Sequence, residues 1–498
     1  MESLLFEPEI VDSLLLQDEF FFISTFTLFG LSTPPSAVFT TLARIALHPD
    51  FRIASASLVA LYNPINPNPP AFALLPSPIF PSSSPNQQYS GHSFLSALTK
   101  KLRIVFSEFQ RHLPTDPSHL SKFIQFTNDN PHFIKSSLDF CVFSLRIQAL
   151  LLRANPPIEV DSEIIRELLL FVKEAHTTIL TNISNIDTLI ASLPSDSTRT
   201  TPLVSEDDTP MTESLIQLRD DCEDFVRDGW SFIANLTFSF TDPHKSLFQT
   251  IILNDPSFPD LILNSLKLTD PDIRLITVGT LTNITNDFPW MRAKFMTANL
   301  VDRMFETVDF VSLPLSESET LFYLTHFITW LLEPIGDDEE AKFKQYRFIR
   351  VSVFEPAKKF FAFIFHNSDT LTLNELEQTQ LERHLCRIHN HIKNMELLSD
   401  EHDPDFVSDL VRWEMQTMVE MENEGHFRIV FKSLLNRTQE WNRDKPERQK
   451  RREVHMREEG WDDAFELRVV GIEMGTKRKL KTLARKFRIE LTFNADEL

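Results

Sequence analysis

A six-residue pattern that returns after 48 residues constrains this 498-residue chain more than any single motif. Phe232-Ile233-Ala234-Asn235-Leu236-Thr237 reappears as Thr280-Leu281-Thr282-Asn283-Ile284-Thr285. Two shorter amphipathic stretches follow each copy, at 243–253 and 258–268 after the first and at 288–295 and 297–308 after the second. A weaker echo pairs Pro49-Asp50-Phe51-Arg52-Ile53 with Pro271-Asp272-Ile273-Arg274-Leu275. The residues that continue both segments are small or apolar on more than one face, so these helices belong among neighbours rather than on a surface. Repetition at this period means stacked supersecondary units, each burying its apolar face only against the next.

Helix signals run through the rest of the chain. Pro49-Asp50, Asp116-Pro117, Asp255-Pro256, Asp270-Pro271-Asp272 and Asp403-Pro404-Asp405 place an Asp cap beside Pro, which satisfies or removes orphan backbone N–H groups at a helix start. Only nine glycines are present, where an average chain would carry roughly 35. Phosphate-cradling loops, dinucleotide folds and tight hairpins need glycine and are excluded with it. The 44 Phe suit a helix-on-helix array, because Phe buries a large area and leaves no polar tip to satisfy. Val351–Phe354 and Arg488–Phe493 are the only candidate strands, and each also fits a helix end. The sequence therefore predicts an all-α fold.

Within 229–308, Ala234-Asn235-Leu236 and Thr282-Asn283-Ile284 resemble the small-Asn-aliphatic ending of the buried third helix in armadillo/HEAT-type helical repeats. The resemblance implies a right-handed α-α superhelix, an armadillo-like solenoid. It also implies a concave groove where Asn235 and Asn283 would hydrogen-bond the backbone of an extended peptide, with Trp230 as aromatic partner. In the family that Trp stands four residues before the Asn. Here Trp230 stands five before, and Gly279 occupies the four-residue offset in the second copy. The competing reading of both asparagines is a helix-end side chain that satisfies backbone groups.

Two stretches break the helices. Pro64–Pro85 holds eight prolines in 22 residues, which predicts a polyproline-type or disordered loop over 64–91. Residues 193–212 are rich in Ser, Thr, Asp and Pro, which predicts a second disordered loop, with Thr201-Pro202 and Thr209-Pro210 as kinase-type sites. The expected order is N-terminal helices at 1–63, the first loop, helical repeats at 92–192, the second loop, armadillo-like repeats at 213–425, and a basic helical segment at 426–498.

The chemistry-bearing residues do not assemble into a catalytic motif. No G-x-S-x-G, G-x4-G-K-[ST], H-E-x-x-H or CxxC occurs. His384, Cys386, His389 and His391 lie close in sequence, but on a helix over Glu375–Leu398 they point to different sides. At ~100° per residue from Leu381 they fall near about −60°, +140°, +80° and −80°. They cannot converge on one tetrahedral ion, so no metal and no cofactor is expected. Three distant cysteines, Cys141, Cys222 and Cys386, make no disulfide framework and point to a reducing compartment, cytoplasm or nucleus. The N-terminus lacks a basic leader pattern, and the longest apolar runs, Phe20–Leu31 and Leu321–Leu332, are shorter than the ~18 residues a span needs.

Charge divides the chain. Residues 426–498 carry 18 Lys+Arg against 13 Asp+Glu, a net of +5, whereas the first 425 carry the remaining 31 and 58, a net of −27. Lys477, Arg478, Lys479, Lys481, Arg485, Lys486 and Arg488 place seven cations in twelve residues, with Leu480, Leu483, Phe487 and Leu491 at helical spacing. This basic amphipathic helix fits an import signal, an anchor on nucleic acid or anionic membrane, an internal clasp, or a solvated cap. The sequence as a whole predicts a non-enzymatic scaffold that takes a protein or extended peptide, preferentially basic, on a concave helical surface. The alternative is an adaptor for nucleic acid or anionic membrane that works through the basic helices at 445–488.

Overall fold

The three-dimensional structure, a computed structural model, describes residues 42–65, 91–113, 119–152, 161–192, 209–238, 242–310, 313–333, 339–397 and 424–443. Residues 44, 131 and 311–312 are excepted, and isolated positions out to 486 are added. Among them the protein is all-α, with no strand. No helix among them is long and apolar enough to cross a membrane.

The fold divides into two compact units, with the division falling after Asn283. The first unit contains α1 (Phe51–Ile65), α2 (Gly91–His112), α3 (Leu120–Asp129), α4 (Phe133–Leu152), α5 (Ser162–Ser192), α6 (Thr209–Phe238), α7 (Asp242–Phe248), α8 (Phe258–Leu266) and the body of α9 (Pro271–Asp287). The anticipated stretch 243–253 is α7 running straight into a π-helical turn at Gln249–Leu253. Asp50 and Asp270 cap α1 and α9, and Asp255 makes the same local bond in the turn before α8: each accepts from the backbone N–H two residues on, at 2.7–2.9 Å.

In the first unit α4 packs on α1, α2 and α6, and α5 packs on α2, α6, α7 and α8. Phe fills the junctions. Phe106 of α2, Phe171 of α5 and Phe225 of α6 meet at ring-centroid distances of 5.3, 5.6 and 6.3 Å.

The second unit contains α10 (Trp290–Thr297), α11 (Leu300–Thr307), α12 (Ser318–Leu332), α13 (Glu339–Asn367), α14 (Glu375–Leu397) and α15 (Glu424–Arg443). Here α14 packs on α12, α13 and α15, and α13 also holds α10, α11 and α12. The turn from α10 to α11 is made at Asn299, whose φ of 54° is the only left-handed non-glycine backbone among the described residues. Asn tolerates this conformation better than most side chains, so the turn needs no glycine. A capping box starts α14: Asn374 Oδ1 accepts from the Glu377 N–H at 2.9 Å, and Glu377 Oε2 accepts from the Asn374 N–H at 3.1 Å.

Three expectations are corrected. Val351–Phe354 lies inside α13 and is neither strand nor helix end. The loop expected to run to 212 ends before Thr209, because Thr209-Pro210 opens α6 with Pro in the first turn. Likewise Pro64 and Ile65 belong to α1 rather than to the Pro-rich loop. Most of both loops, the strand candidate 488–493, the apolar run 20–31, and the starts at 116–117 and 403–405 lie outside the described residues.

Candidate functional site

Helix α6 organises the first unit because three of its faces do different work. The face toward α5 carries Cys222, Phe225, Val226, Gly229 and Trp230, all buried. His176 of α5 enters this face, with Nε2 3.2 Å from the Val226 carbonyl and the imidazole 5.8 Å from the Trp230 ring. Burial brings His176 down to about 4, so the ring is neutral and Nε2 carries the proton it donates. Cys141, Cys222 and Cys386 are buried and form no disulfide, and burial pushes the Cys141 and Cys222 thiols up, away from reactivity.

Of the groove residues implied by the repeat resemblance, Trp230 falls on this inner side. Trp230 is fully buried, and its indole N–H donates to Ser265 Oγ at 2.8 Å. Its ring is thus taken up inside the unit, where the resemblance implied an aromatic face open to a peptide. The one-residue offset is the physical reason. A residue four before Asn235 sits ~40° from it around a helix, but one five before sits ~140° away, on the opposite side. Asn235 is half-buried near the end of α6. Asn283 is also half-buried, and its Nδ2 donates to Thr237 Oγ1 at 3.2 Å, which ties α9 to the end of α6. Thr237 in turn donates to the Ala234 carbonyl at 2.8 Å.

The second face of α6 meets α4 along a polar seam. Arg146 of α4 grips Asp228 with both ends of its guanidinium, Nε to Oδ1 at 2.7 Å and Nη2 to Oδ2 at 2.8 Å. The guanidinium lies 5.0 Å from the Phe143 ring centre and 6.0 Å from that of Tyr62. Further along, Lys135 reaches Asp221 at 3.8 Å. Burial raises Asp139 and Lys135 offsets part of this, but Asp221 and Asp224 lift it further. Asp221 is raised in the same way by burial and by Asp224 and Asp220, against Gln217 and Lys135.

The third face carries Arg219, Glu223 and Arg227. Arg219 bonds Asp187 of α5 at 2.8 Å and Glu223 at 2.9 Å, while Arg227 bonds Asp270 at 3.2 Å. Asp220 and Asp224 stand between the second and third faces with side chains more than half exposed. The result is an acidic ridge of Asp139, Asp220, Asp221 and Asp224. Sequence reasoning registered the net charge of this region but missed the ridge, because Asp139 joins it only through the packing of α4 on α6.

In the second unit all four members of the His/Cys group are buried, and His384 and His389 go to different neighbours. His384 faces His326 of α12, and His389 Nδ1 lies 2.8 Å from Ser433 Oγ of α15. His389 Nε2 lies 3.7 Å from Glu414 Oε1. Ser433, His389 and Glu414 have the residue types of a nucleophilic triad. Ser433 is 0% exposed, however, and 3.7 Å is too long for a hydrogen bond, so the group is a polar strut between helices. Among the described residues no group of three or more His, Cys, Asp or Glu could hold a metal ion.

Of the basic segment, Arg478, Lys479 and Lys486 are exposed, whereas Leu480 is only 1% exposed. Thr482 Oγ1 donates to the Arg478 carbonyl at 2.8 Å, a helical bond. Lys477, Lys481, Arg485 and Arg488 lie outside the described residues. Comparison of the chain with protein-family models, with curated proteins and with solved structures gives no match.

Proposed function

We propose that the protein is an armadillo-like helical-repeat scaffold, non-enzymatic, that docks a basic protein segment on the acidic ridge of α4 and α6. The repeated pattern at 232–237 and 280–285 and the helix-on-helix packing around α4, α5 and α6 support the superhelical reading. The ridge carries the functional reading. Asp139 and Asp221 repel their acidic neighbours, and Lys135, itself largely exposed, is their principal counter-charge. A Lys- or Arg-bearing partner relieves that repulsion, steers itself onto the ridge and gains more there than on an evenly charged surface.

The test is a charge reversal at positions whose present ion pairs contribute little. The ion pairs of Asp220 and Asp224 among the described residues are with their own helix's Arg219 and Arg227, and both side chains are more than half exposed, so D220K/D224K is expected to fold. Fluorescence anisotropy with a panel of Lys/Arg-rich peptides is expected to show binding that weakens with salt. In the double variant binding should drop by about tenfold or more, as expected for loss of charge steering and pairing. Equal binding by both proteins, or no binding above a neutral control peptide, refutes the ridge.

A second reading rests on the C-terminal segment, where Leu480 is buried while Arg478, Lys479 and Lys486 are exposed. This is an amphipathic helix docked by its apolar edge with cations outward, the form that engages phosphates of nucleic acid or anionic lipid. Full-length protein and R478E/K479E are compared on single-stranded RNA and on vesicles rich in phosphatidylserine. Salt-sensitive binding lost in the variant supports this adaptor role, and its absence on both surfaces removes it.

A further inference from the structure

The second unit holds a column of stacked groups that crosses three helices. His384 of α14 and His326 of α12 face each other with ring centroids 4.1 Å apart and planes inclined by 31°. His326 continues onto Trp330, one turn along α12, at 5.9 Å and 27°. The guanidinium of Arg292, from α10, lies 5.0 Å from the Trp330 ring centre. Phe322 closes the other side, 6.4 Å from His384. His384 is buried, and its Nδ1 has no hydrogen-bond partner among the described residues.

The charges around the pair are of one sign. Arg387 acts on both rings and Arg383 on His384, and each imidazole, once charged, opposes the other. From α12 the carboxylate of Glu319 acts on Tyr323, as does Glu377 of α14, but neither acts on the histidines. Helix α13, packed on both partners, carries Glu355, Lys358, Lys359 and His366, and α15 carries His426, Arg428 and Lys432. None of these is among the charges acting on either ring. A proton placed on the pair therefore meets cations and a low-polarity stack, with no carboxylate among the described residues to balance it.

We propose that the α12–α14 contact is an acid-sensitive latch: protonation of the His326–His384 pair separates the two helices while the first unit stays folded. Burial first, then the neighbouring cations, bring His326 down to about 4 and His384 to about 3. Both folded values lie below the ordinary ~6.5 of an unfolded His. The latch is accordingly at full strength above ~7, weakens as pH falls through 6.5, and is spent near 4. His391, on the same helix, is held down to about 4 by burial and Arg387 and adds to the trend. Release of α14 uncovers Leu381, Leu385 and Ile388, which are fully buried in the closed form.

Hydrogen exchange on the full-length protein at pH 7 and pH 5, corrected for intrinsic rates, tests the latch without any variant. Protection in α12 and α14 is expected to fall on the order of a hundredfold across this interval, while α2 and α4, whose unit holds the single depressed imidazole of His176, lose only about tenfold. In H326F/H384F, which keeps two rings but removes both titrations, the fall should shrink to about tenfold or less. If the double variant does not fold, H384Q serves as the neutral substitute, with half the effect removed. Unchanged protection of α12 and α14 at pH 5, or an equal loss in wild type and variants, overturns the latch.

Discussion

Gly229→Ala is expected to destabilise the first unit by about 2–4 kcal/mol, although the same change in an exposed helix would stabilise it by about 1 kcal/mol. A β-carbon at 229 would lie 2.0 Å from His176 Nε2, 2.7 Å from Cε1 and 2.9 Å from Cδ2. His176 has no room to yield. It is fully buried, is held to the Val226 carbonyl, and sits 6.2 Å from the Phe225 ring and 5.8 Å from the Trp230 ring. Overpacking therefore outweighs propensity. The check is a double-mutant cycle by urea unfolding. On a His176→Ala background, Gly229→Ala should become neutral or stabilising, giving a coupling of about 3 kcal/mol. If Gly229→Ala unfolds at the wild-type urea midpoint, α5 and α6 are not interlocked through this contact.

The same glycine shows what could be read from sequence and what could not. The scarcity of glycine, nine in the chain, was legible. That Gly229 admits an imidazole from α5 was not, because His176 is 53 residues away in sequence, with nothing local to link them. Element positions were legible for a physical reason. Asp255 and Asp270 act by local hydrogen bonds, and the stripe Leu381/Leu385/Ile388/Ile392/Met395 needs only helical periodicity, so α8 and α14 begin and end, and α9 begins, close to expectation. The role of Trp230 was misread because a resemblance carries positions, while a single-residue offset turns a side chain by ~100°. The acidic ridge was not read from the sequence: Asp220, Asp221 and Asp224 share α6, but Asp139 joins them only once α4 is laid alongside.

Arg146→Ala is expected to cost about 3–5 kcal/mol, because it strands a carboxylate rather than because the ion pair itself is worth that much. The Asp228 side chain is only 7% exposed, and both of its oxygens are engaged by the guanidinium. Burial lifts Asp228 and Arg146 draws it back, with Arg227 a weaker aid. A two-pronged bond at 2.7 and 2.8 Å requires two accepting oxygens, so the pair is charged at neutral pH. Without Arg146, burial acts alone and Asp228 rises further above its unfolded value. A carboxylate raised on folding destabilises most above the raised value and is relieved as pH falls toward its unfolded range. The deficit of Arg146→Ala relative to wild type should therefore be largest near pH 7.5 and shrink at pH 4.5, measured as the difference in urea unfolding free energy at each pH. Replacing both partners, R146M/D228L, should restore most of the stability, since an apolar pair of similar volume leaves no stranded charge. That variant also separates structure from binding: with Asp220 and Asp224 intact on a repaired α4–α6 seam, basic-peptide binding should survive. If Arg146→Ala loses little stability, or its deficit does not shrink in acid, the seam is held by apolar packing and the ion pair is incidental to it.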